Sequence, residues 1–537
     1  MLDAGSEFGF GLECGSKAEL VAALPFLEQY EVELLCNGCK DDEMMALMVA
    51  GQILGRRVYP IIERIEEFGM LKDAVSRSGM VPSSGKHIGA FGVRVRLSTS
   101  GAGLWSESGG ANSKFGISLT ELIRLVEDLS RSGSQHLFRL LHFHLGSQIA
   151  DIANIRQAVR EAGRIYAWLR RSGIPVEAID VGGGLGVNYE AGNTLAIGHI
   201  NYDLDAYTSA IVDELKHIVE EEHVPHPRIV SESGRAITAH HSVLLVEVVG
   251  SRSKGSLPHG EASLSHPLAR QMRTLRERLE EQPGADEFEE IQRMATDLRI
   301  RSVDGFREGD VSVVEKALME ELFWSISHRS RELAPTGLAE HIFLSDIEPQ
   351  LVDHYLCDFS VFRSMVDYWA IGQRFPIMPV HRLNESPSRR ATLDDLTCDS
   401  DGRVSDFVSP SGDKHFLEVH PLRQGDRYYL GFFLMGAYQD IMGDMHNLFG
   451  RVTEAHVYLD EDEPDNFYIE KIIEGASVRE QLELVQYHAH ELERRMNAMV
   501  QREVRAGNIR ASHGIKLLKQ YRDSFRSYTY LNGAPVD

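Results

Sequence analysis

Two apolar rhythms alternate along the first half of the chain. Val32–Cys36, Arg57–Ile62, Leu137–Leu145, Val176–Val181 and Arg228–Ser231 are compact apolar runs of strand length. Between them apolar residues recur at helical spacing. Ser16 with Glu19 forms a capping box that predicts a helix to about Tyr30, and Ser118 with Glu121 forms a second. After Ser118, Leu122, Val126 and Leu129 share one face and Gly133 stands just past the end. Ile152, Ile155, Val159 and Ala162 mark a helix that stops near Gly173, and another spans about Asp205 to Glu222. Strands separated by helices predict parallel pairing, and a parallel barrel carries its working residues at the carboxyl ends of its strands.

The pattern then changes. Ser251 to Ala339 is charged and helical, punctuated by Pro258, Gly260, Pro267, Pro283 and Gly284. Tyr355 to Ile469 is strand-rich, most clearly at Tyr428–Leu434 and Ala455–Leu459, with Glu461–Asp465 as a solvated loop. Val478 to Tyr521 is helical again. The expected organisation is a β/α barrel over residues 1–250, a helical insert over 251–345, a β-domain over 346–472 and a helical extension over 473–537.

Composition narrows the function. With 56 basic and 80 acidic residues the net charge is −24, which disfavours nucleic acid and anionic membranes as partners. Five cysteines form no even secreted framework, so a reducing compartment is expected. Cys36 and Cys39 have CxxC spacing without the companion ligands of a zinc site. No apolar run of about 18 residues and no leader-like start are present; the expected location is the cytoplasm, with an organelle left open.

Chemistry gathers at the strand ends. Asp180-Val181-Gly182-Gly183-Gly184-Leu185-Gly186 follows a strand, and such glycines let backbone N–H groups approach a phosphate. A dinucleotide fingerprint would need glycine at 187, where Val187 stands; a purely structural turn is the other alternative. In Ser231-Glu232-Ser233-Gly234-Arg235 the carboxylate suits a ring-nitrogen cation and the arginine a phosphate, unless the two form a local ion pair. His142 and His144 share one strand face, which permits metal binding, but the Gly146-Ser147 turn after His144 suits a ring-stacking histidine better. Cys398-Asp399-Ser400-Asp401-Gly402 offers a proton-donating thiol between carboxylates, or a buried cysteine beside a polar turn.

In this order the motifs resemble the biosynthetic arginine decarboxylases, pyridoxal-phosphate enzymes of the alanine-racemase-like fold type related to ornithine and diaminopimelate decarboxylases. The resemblance runs from Gly11-Leu12-Glu13-Cys14-Gly15-Ser16-Lys17 to Tyr528-Thr529-Tyr530-Leu531, and includes Leu140–Gln148, Ser231–Ala236, Asp399–Gly402 and Met445–Gly450. It implies an α/β fold: a (β/α)8 barrel joined to a C-terminal β-domain, with helical segments. It also implies that His144 stacks on the cofactor ring, that Ser147 helps hold it, and that Gly183, Gly184, Gly234, Arg235 and Tyr438 bind its phosphate. Glu232 would pair with the pyridinium nitrogen, and Glu13 and Arg94 would lie nearby. Cys398, given across a dimer interface, would return a proton after CO2 departs. Asp399, Asp401 and Asp367 would hold the guanidinium of L-arginine. The implied product is agmatine, for polyamine (spermidine and putrescine) synthesis; the implied assembly is a homodimer or a multiple with shared sites. Magnesium is implied by the resemblance alone, for no magnesium cage is visible.

The chain departs from the family in three places. The family carries a Tyr-Pro-x-Lys strand shortly before the Gly-Leu-Glu motif, and its lysine forms a Schiff base with the cofactor. Only ten residues precede Gly11 and none is lysine. The first barrel strand is therefore expected to be missing, leaving a chain of low activity and low stability. Pro82–Ala90 reads as a short insertion, and Cys39 replaces an aromatic. A noncatalytic homologue that binds partner subunits, and a decarboxylase of another basic amino acid, are the competing readings.

Overall fold

The structure is a computed structural model that describes residues 5–28, 32–80, 87–99, 113–190, 198–254, 265–281, 285–333, 351–409 and 414–531. The chain divides into two compact units, one ending at His241 and the next taking up at Ser242.

The first unit is built on seven strands: β1 (Leu12–Cys14), β2 (Glu33–Cys36), β3 (Arg57–Ile62), β4 (Phe91–Arg94), β5 (Phe138–His142), β6 (Ala178–Asp180) and β7 (Arg228–Val230). They lie side by side in chain order and every described pair is parallel. Helices α1 (Lys17–Ala23), α2 (Asp42–Ile53), α3 (Ile65–Arg77), α4 (Leu119–Ser132), α5 (Ile152–Arg171) and α6 (Leu204–Glu221) return the chain after β1 to β6. Strands in sequence order with helical returns form the wall of a β/α barrel, here a half-barrel whose outer strands are β1 and β7. Alternation sorts the two faces. Leu34 and Cys36 pack into the core shared with the helices, whereas Leu35 turns to the other face to meet Tyr59, Ile61, Leu140 and Ala178.

Local chemistry fixes the helix ends. The Ser118–Glu121 capping box is complete, and Gly133 closes α4 with a left-handed φ of 69°. The helix expected to reach Tyr30 stops at Ala23 and continues as a 3-10 turn over Leu24–Glu28. Pro25 has no N–H to extend the α-helical ladder. The strand expected to reach Leu145 ends at His142, so His144 stands just past the ladder.

The second unit has a mixed sheet of β8 (Leu244–Arg252), β9 (Asp353–Cys357), β10 (Ile377–Pro379), β11 (Arg389–Asp394), β12 (Arg403–Val404), β13 (Leu417–Val419) and β14 (Tyr429–Phe432). The spatial order is β10-β14-β8-β9-β11-β12, with β13 also on β11. This moves the boundary expected at 250 back to 241: β8 pairs with β14 and β9, not with the parallel sheet. Helices Pro267–Glu280, Ala285–Glu308 and Val313–Leu333 close over a core of their own that includes Met272, Ile291, Met319 and Ile326. A separate hairpin joins Glu454–Leu459 to Phe467–Ile473, with the acidic Glu461–Asp465 at its turn. Helices Val478–Leu484, Ala489–Arg505 and Ala511–Ser524 follow. Among the described residues no helix is long and apolar enough to cross a membrane. Most of the insertion expected at Pro82–Ala90 lies outside the described residues.

Candidate active site

The carboxyl ends of β1, β2, β4, β5 and β7 open onto one cavity of about 680 Å3 in the first unit. Glu13, Asn37, Glu63, Arg94, His144 and Glu232 all line it. A barrel wall delivers side chains from distant sequence positions to one rim in this way.

Glu232 sits just past β7. Its Oε1 accepts a 2.6 Å hydrogen bond from the Asn37 amide, which also donates to Glu13 Oε1 at 3.0 Å. Burial pushes the Glu232 carboxyl up to about 7; the positive His142 opposes this, and the charges of Asp180 and Glu13 add to it. Burial likewise raises Glu13, against the Asn37 hydrogen bond. Such a carboxyl gains greatly from a cation placed against it.

His144 is the opposite case. Burial, helped by the charges of Arg94 and His142, depresses it to about 3, so the imidazole is neutral at pH 7. The Gly183 N–H donates to His144 Nδ1 at 3.2 Å, which leaves the ring proton on Nε2. A neutral ring pinned by one edge presents its face. Arg94, at the end of β4, is buried and pairs with Glu63 Oε1 at 2.9 Å.

The glycine turn is tightly built. Gly182 and Gly184 have φ of 69° and 100°. A Cβ on Gly184 would stand 2.4 Å from the Gly146 carbonyl oxygen and 2.5 Å from Ile149 Cδ1. Gln148 clamps the segment that follows, exchanging hydrogen bonds with Val187 through its carbonyl and amide at 3.0 and 2.6 Å. Gly234 opens a one-turn helix, Gly234–Thr238, after Ser233 at φ 45°. The Arg235 side chain is buried and donates to Ser147 Oγ at 3.1 Å and Tyr189 OH at 3.0 Å. Arg235 thus braces Ser147 against the wall, a use that its motif did not reveal.

Sequence patterns also passed over Asn37, Glu63 and Asp180. Asn37 stands just past β2, but it lies inside the CxxC pattern of Cys36 and Cys39. Asp180 Oδ1 accepts from the Gly182 N–H at 2.9 Å, and its Oδ2 lies 2.8 Å from His142 Nδ1. His142, Asp180 and Glu232 are the one group of metal-ligand type found among the described residues, within 4.8 Å of one another; His144 is not part of it. A buried set that includes an imidazole does not suit magnesium, which favours oxygen ligands and retained water.

The remaining expected residues belong to the second unit. Cys398, Asp399 and Asp401 are exposed on the loop between β11 and β12. The Cys398 N–H donates to Asn447 Oδ1 at 3.1 Å, and Asp399 Oδ1 accepts from the Asp401 N–H at 3.0 Å. Cys398 is therefore not the buried thiol that one reading allowed. Asp367 is buried, and its carboxylate accepts from the Gln439 amide at 2.8 Å. Tyr438, at φ 69°, immediately precedes Gln439.

Residues 1–239 match the pyridoxal binding domain of the pyridoxal-dependent decarboxylases, and residues 478–531 match the C-terminal helical extension of arginine decarboxylase. The biosynthetic arginine decarboxylase of Bacteroides thetaiotaomicron is 37% identical over 99% of this chain and 82% of its own length. This chain belongs to the biosynthetic arginine decarboxylase family. The relative from Rhodopirellula baltica is likewise 37% identical, over 99% of the chain and 82% of its length. The crystal structure of the Campylobacter jejuni biosynthetic arginine decarboxylase superposes with a TM-score of 0.83 at 29% identity, covering 99% of this chain and 83% of that one. Diaminopimelate decarboxylase from Helicobacter pylori, at 14% identity and TM-score 0.55 over 90% and 86% of the two chains, shares the fold.

The first unit fits the pyridoxal phosphate that its family binds. A Cβ on Gly183 would meet His144 Cε1 at 3.4 Å and Glu232 Oε2 at 3.8 Å, so the missing side chain keeps the space beside both groups open. Asn37 Oδ1 and Glu63 Oε2, both on residues that line the cavity, are buried without a hydrogen-bond partner.

Proposed function

We propose that this protein decarboxylates L-arginine to agmatine and CO2 with pyridoxal 5'-phosphate, as the entry step to polyamine synthesis. The observation that carries the proposal is the buried Glu232 carboxyl, raised to about 7 and facing the same cavity as the neutral His144 and the Gly183 turn. A phosphorylated pyridine aldehyde matches that combination of acid, flat neutral ring and backbone cup.

When bound, the cofactor supplies an electron sink for the pair released as CO2 departs. The chain's own residues do the rest. The N–H groups of Gly184, Gly234 and Arg235 receive the phosphate, Gly183 leaves room for it, Ser147 is held beside them, and Tyr438 is a further phosphate contact. Glu232 keeps a proton on the ring nitrogen, Glu13 and Arg94 set the charge around it, and the His144 face fixes the ring plane. The Cys398 thiol returns a proton to the substrate carbon that lost CO2, and Asp399 and Asp401 hold the guanidinium. Asp367, held by the Gln439 amide, is a further carboxylate for the guanidinium. The Cys398 loop serves a partner subunit's barrel in a homodimer or larger assembly.

Neither lysine at the cavity is placed to carry the cofactor. Lys17 is ion-paired to Asp41 and Glu43, and the buried Lys40 donates to the Gly38 carbonyl at 2.6 Å beside Glu67. The amine is proposed to come from the Tyr-Pro-x-Lys strand that the family carries. The test is CO2 and agmatine release by the full-length gene product from arginine, ornithine and lysine side by side. Arginine turnover alone is expected; faster turnover of either other substrate reassigns the enzyme, and no turnover of any rejects it.

A further inference from the structure

Three strand ends stand in register beside Glu232. Arg94 is opposite His142 across β4 and β5, and His142 is opposite Asp180 across β5 and β6. His142 and Asp180 are both buried, with the imidazole Nδ1 2.8 Å from Asp180 Oδ2. The same nitrogen lies 4.0 Å from Glu232 Oε1. Asp180 uses its other oxygen to accept from the Gly182 N–H. On the far side Asn37 holds Glu232 Oε1 at 2.6 Å. One chain of contacts thus runs from the glycine turn, through Asp180 and His142, to Glu232 and Asn37.

We infer that His142 and Asn37 are positioning residues that hold the Glu232 carboxylate ionised and aimed into the cavity, and that Asp180 ties His142 to the Gly182–Gly184 turn. The inference rests on the proposed function, since it gives Glu232 a ring nitrogen to serve. Two other placements were open to these residues. A structural His–Asp pair would need no acid beside it. A metal centre would set Glu232 against a cation and deny it to the cofactor.

The electrostatic logic is one of opposition. Burial pushes His142 toward its neutral form, and the anions Asp180 and Glu232 more than reverse that, so the imidazole stays charged to higher pH than an ordinary histidine. The charged ring in turn lowers Glu232 against burial. The ionisable groups around Glu232 are Glu13 from β1, Arg94 from β4, His142 and His144 from β5 and its end, and Asp180 from β6; Asn37 from β2 adds its hydrogen bond. Of these, His142 and Asn37 favour the ionised form of Glu232, whereas Asp180 and Glu13 oppose it. Removing either raises the pH at which the acid becomes competent.

The experiment is a titration of the full chain with pyridoxal phosphate between pH 5.5 and 9, read by cofactor absorbance and by thermal shift. It compares wild type with His142→Gln and Asn37→Ser. The acid limb of the affinity profile is expected to move up by about one unit in each variant. Binding would then be about tenfold weaker at pH 6 and equal to wild type at pH 9. A residue that merely supports the fold would weaken binding by one factor at every pH, and that result overturns the inference. So does an acid limb that stays in place. If His142→Gln does not fold, Asn37→Ser on the opposite flank carries the same expectation. Failure of wild type to bind the cofactor at any pH rejects the proposed function itself. Binding with an acid limb that both variants leave unmoved rejects only the positioning role.

Discussion

Glu232 and His144 show how one cavity drives an acid and a base away from their charged forms. Burial is the leading cause in both. The stability signs are opposite. Glu232 titrates higher in the folded state than unfolded, so its contribution is full below about 4.5 and is lost as pH rises through about 7. His144 titrates lower when folded, so its contribution is full above about 6.5 and is lost as pH falls toward 3. Glu232→Gln removes the alkaline loss. The cofactor-free variant should be more stable than wild type by roughly 3 kcal/mol at pH 8 and no different at pH 4.5. It should also bind pyridoxal phosphate less well, the expected exchange of stability for function. His144→Phe keeps a flat ring and removes the acid loss, so its melting temperature should fall less than that of wild type between pH 6 and 4. Melting curves across pH check both; parallel curves for wild type and Glu232→Gln would show that the carboxyl is not held out of its normal range.

Among the elements, the glycine turn after β6 separates a folding constraint from a binding one. Gly184→Ala forces a side chain into φ of 100° and into contact with the Gly146 carbonyl and Ile149. A loss of about 2–4 kcal/mol is expected, with part of the chain's folded signal lost. Gly183 has no such φ, and its Cβ would meet only His144 and Glu232 at ordinary distances. Gly183→Ala should melt within a degree or two of wild type yet bind the cofactor at least tenfold more weakly. Equal behaviour of the two variants would refute the cup. Sequence patterning found this turn, the capped helices and the strand-end placement because each is local: a cap lies three residues from its partner, and a strand meets its loop directly. Asn37 escaped because it bonds to Glu232 195 residues away, and nothing nearby marks that pairing. Asp180 escaped for a subtler reason: it lay within the strand run Val176–Val181, and its role depends on His142 in the neighbouring strand. The β8 boundary failed likewise, since an apolar run does not say which sheet accepts it. Cys398, Asp399 and Asp401 were legible through family resemblance rather than through any rhythm.

The whole chain carries a charge of −24, and the two molecules proposed to enter it have opposite signs. Pyridoxal phosphate is an anion, and arginine carries a guanidinium cation. A strongly acidic surface repels the first and attracts the second over distances set by the salt concentration. The Debye length shrinks from about 30 Å at 0.01 M to about 8 Å at 0.15 M, so most of that long-range field disappears across this interval. Cofactor association with the cofactor-free protein should therefore become faster with salt. Arginine capture, read as kcat/KM of the cofactor-loaded full-length enzyme, should become slower, each by a few-fold. Local groups act differently. Glu232 and the glycine cup meet the cofactor at contact distance, where salt screens little, so the cofactor's dissociation rate should hardly change. Stopped-flow association with pyridoxal phosphate, beside initial rates on arginine over the same salt series, checks the pair. Opposite slopes would assign the acidity of the chain to selecting what approaches it; slopes of the same sign would leave the charge to solubility alone, because a screened global field cannot favour both an anion and a cation.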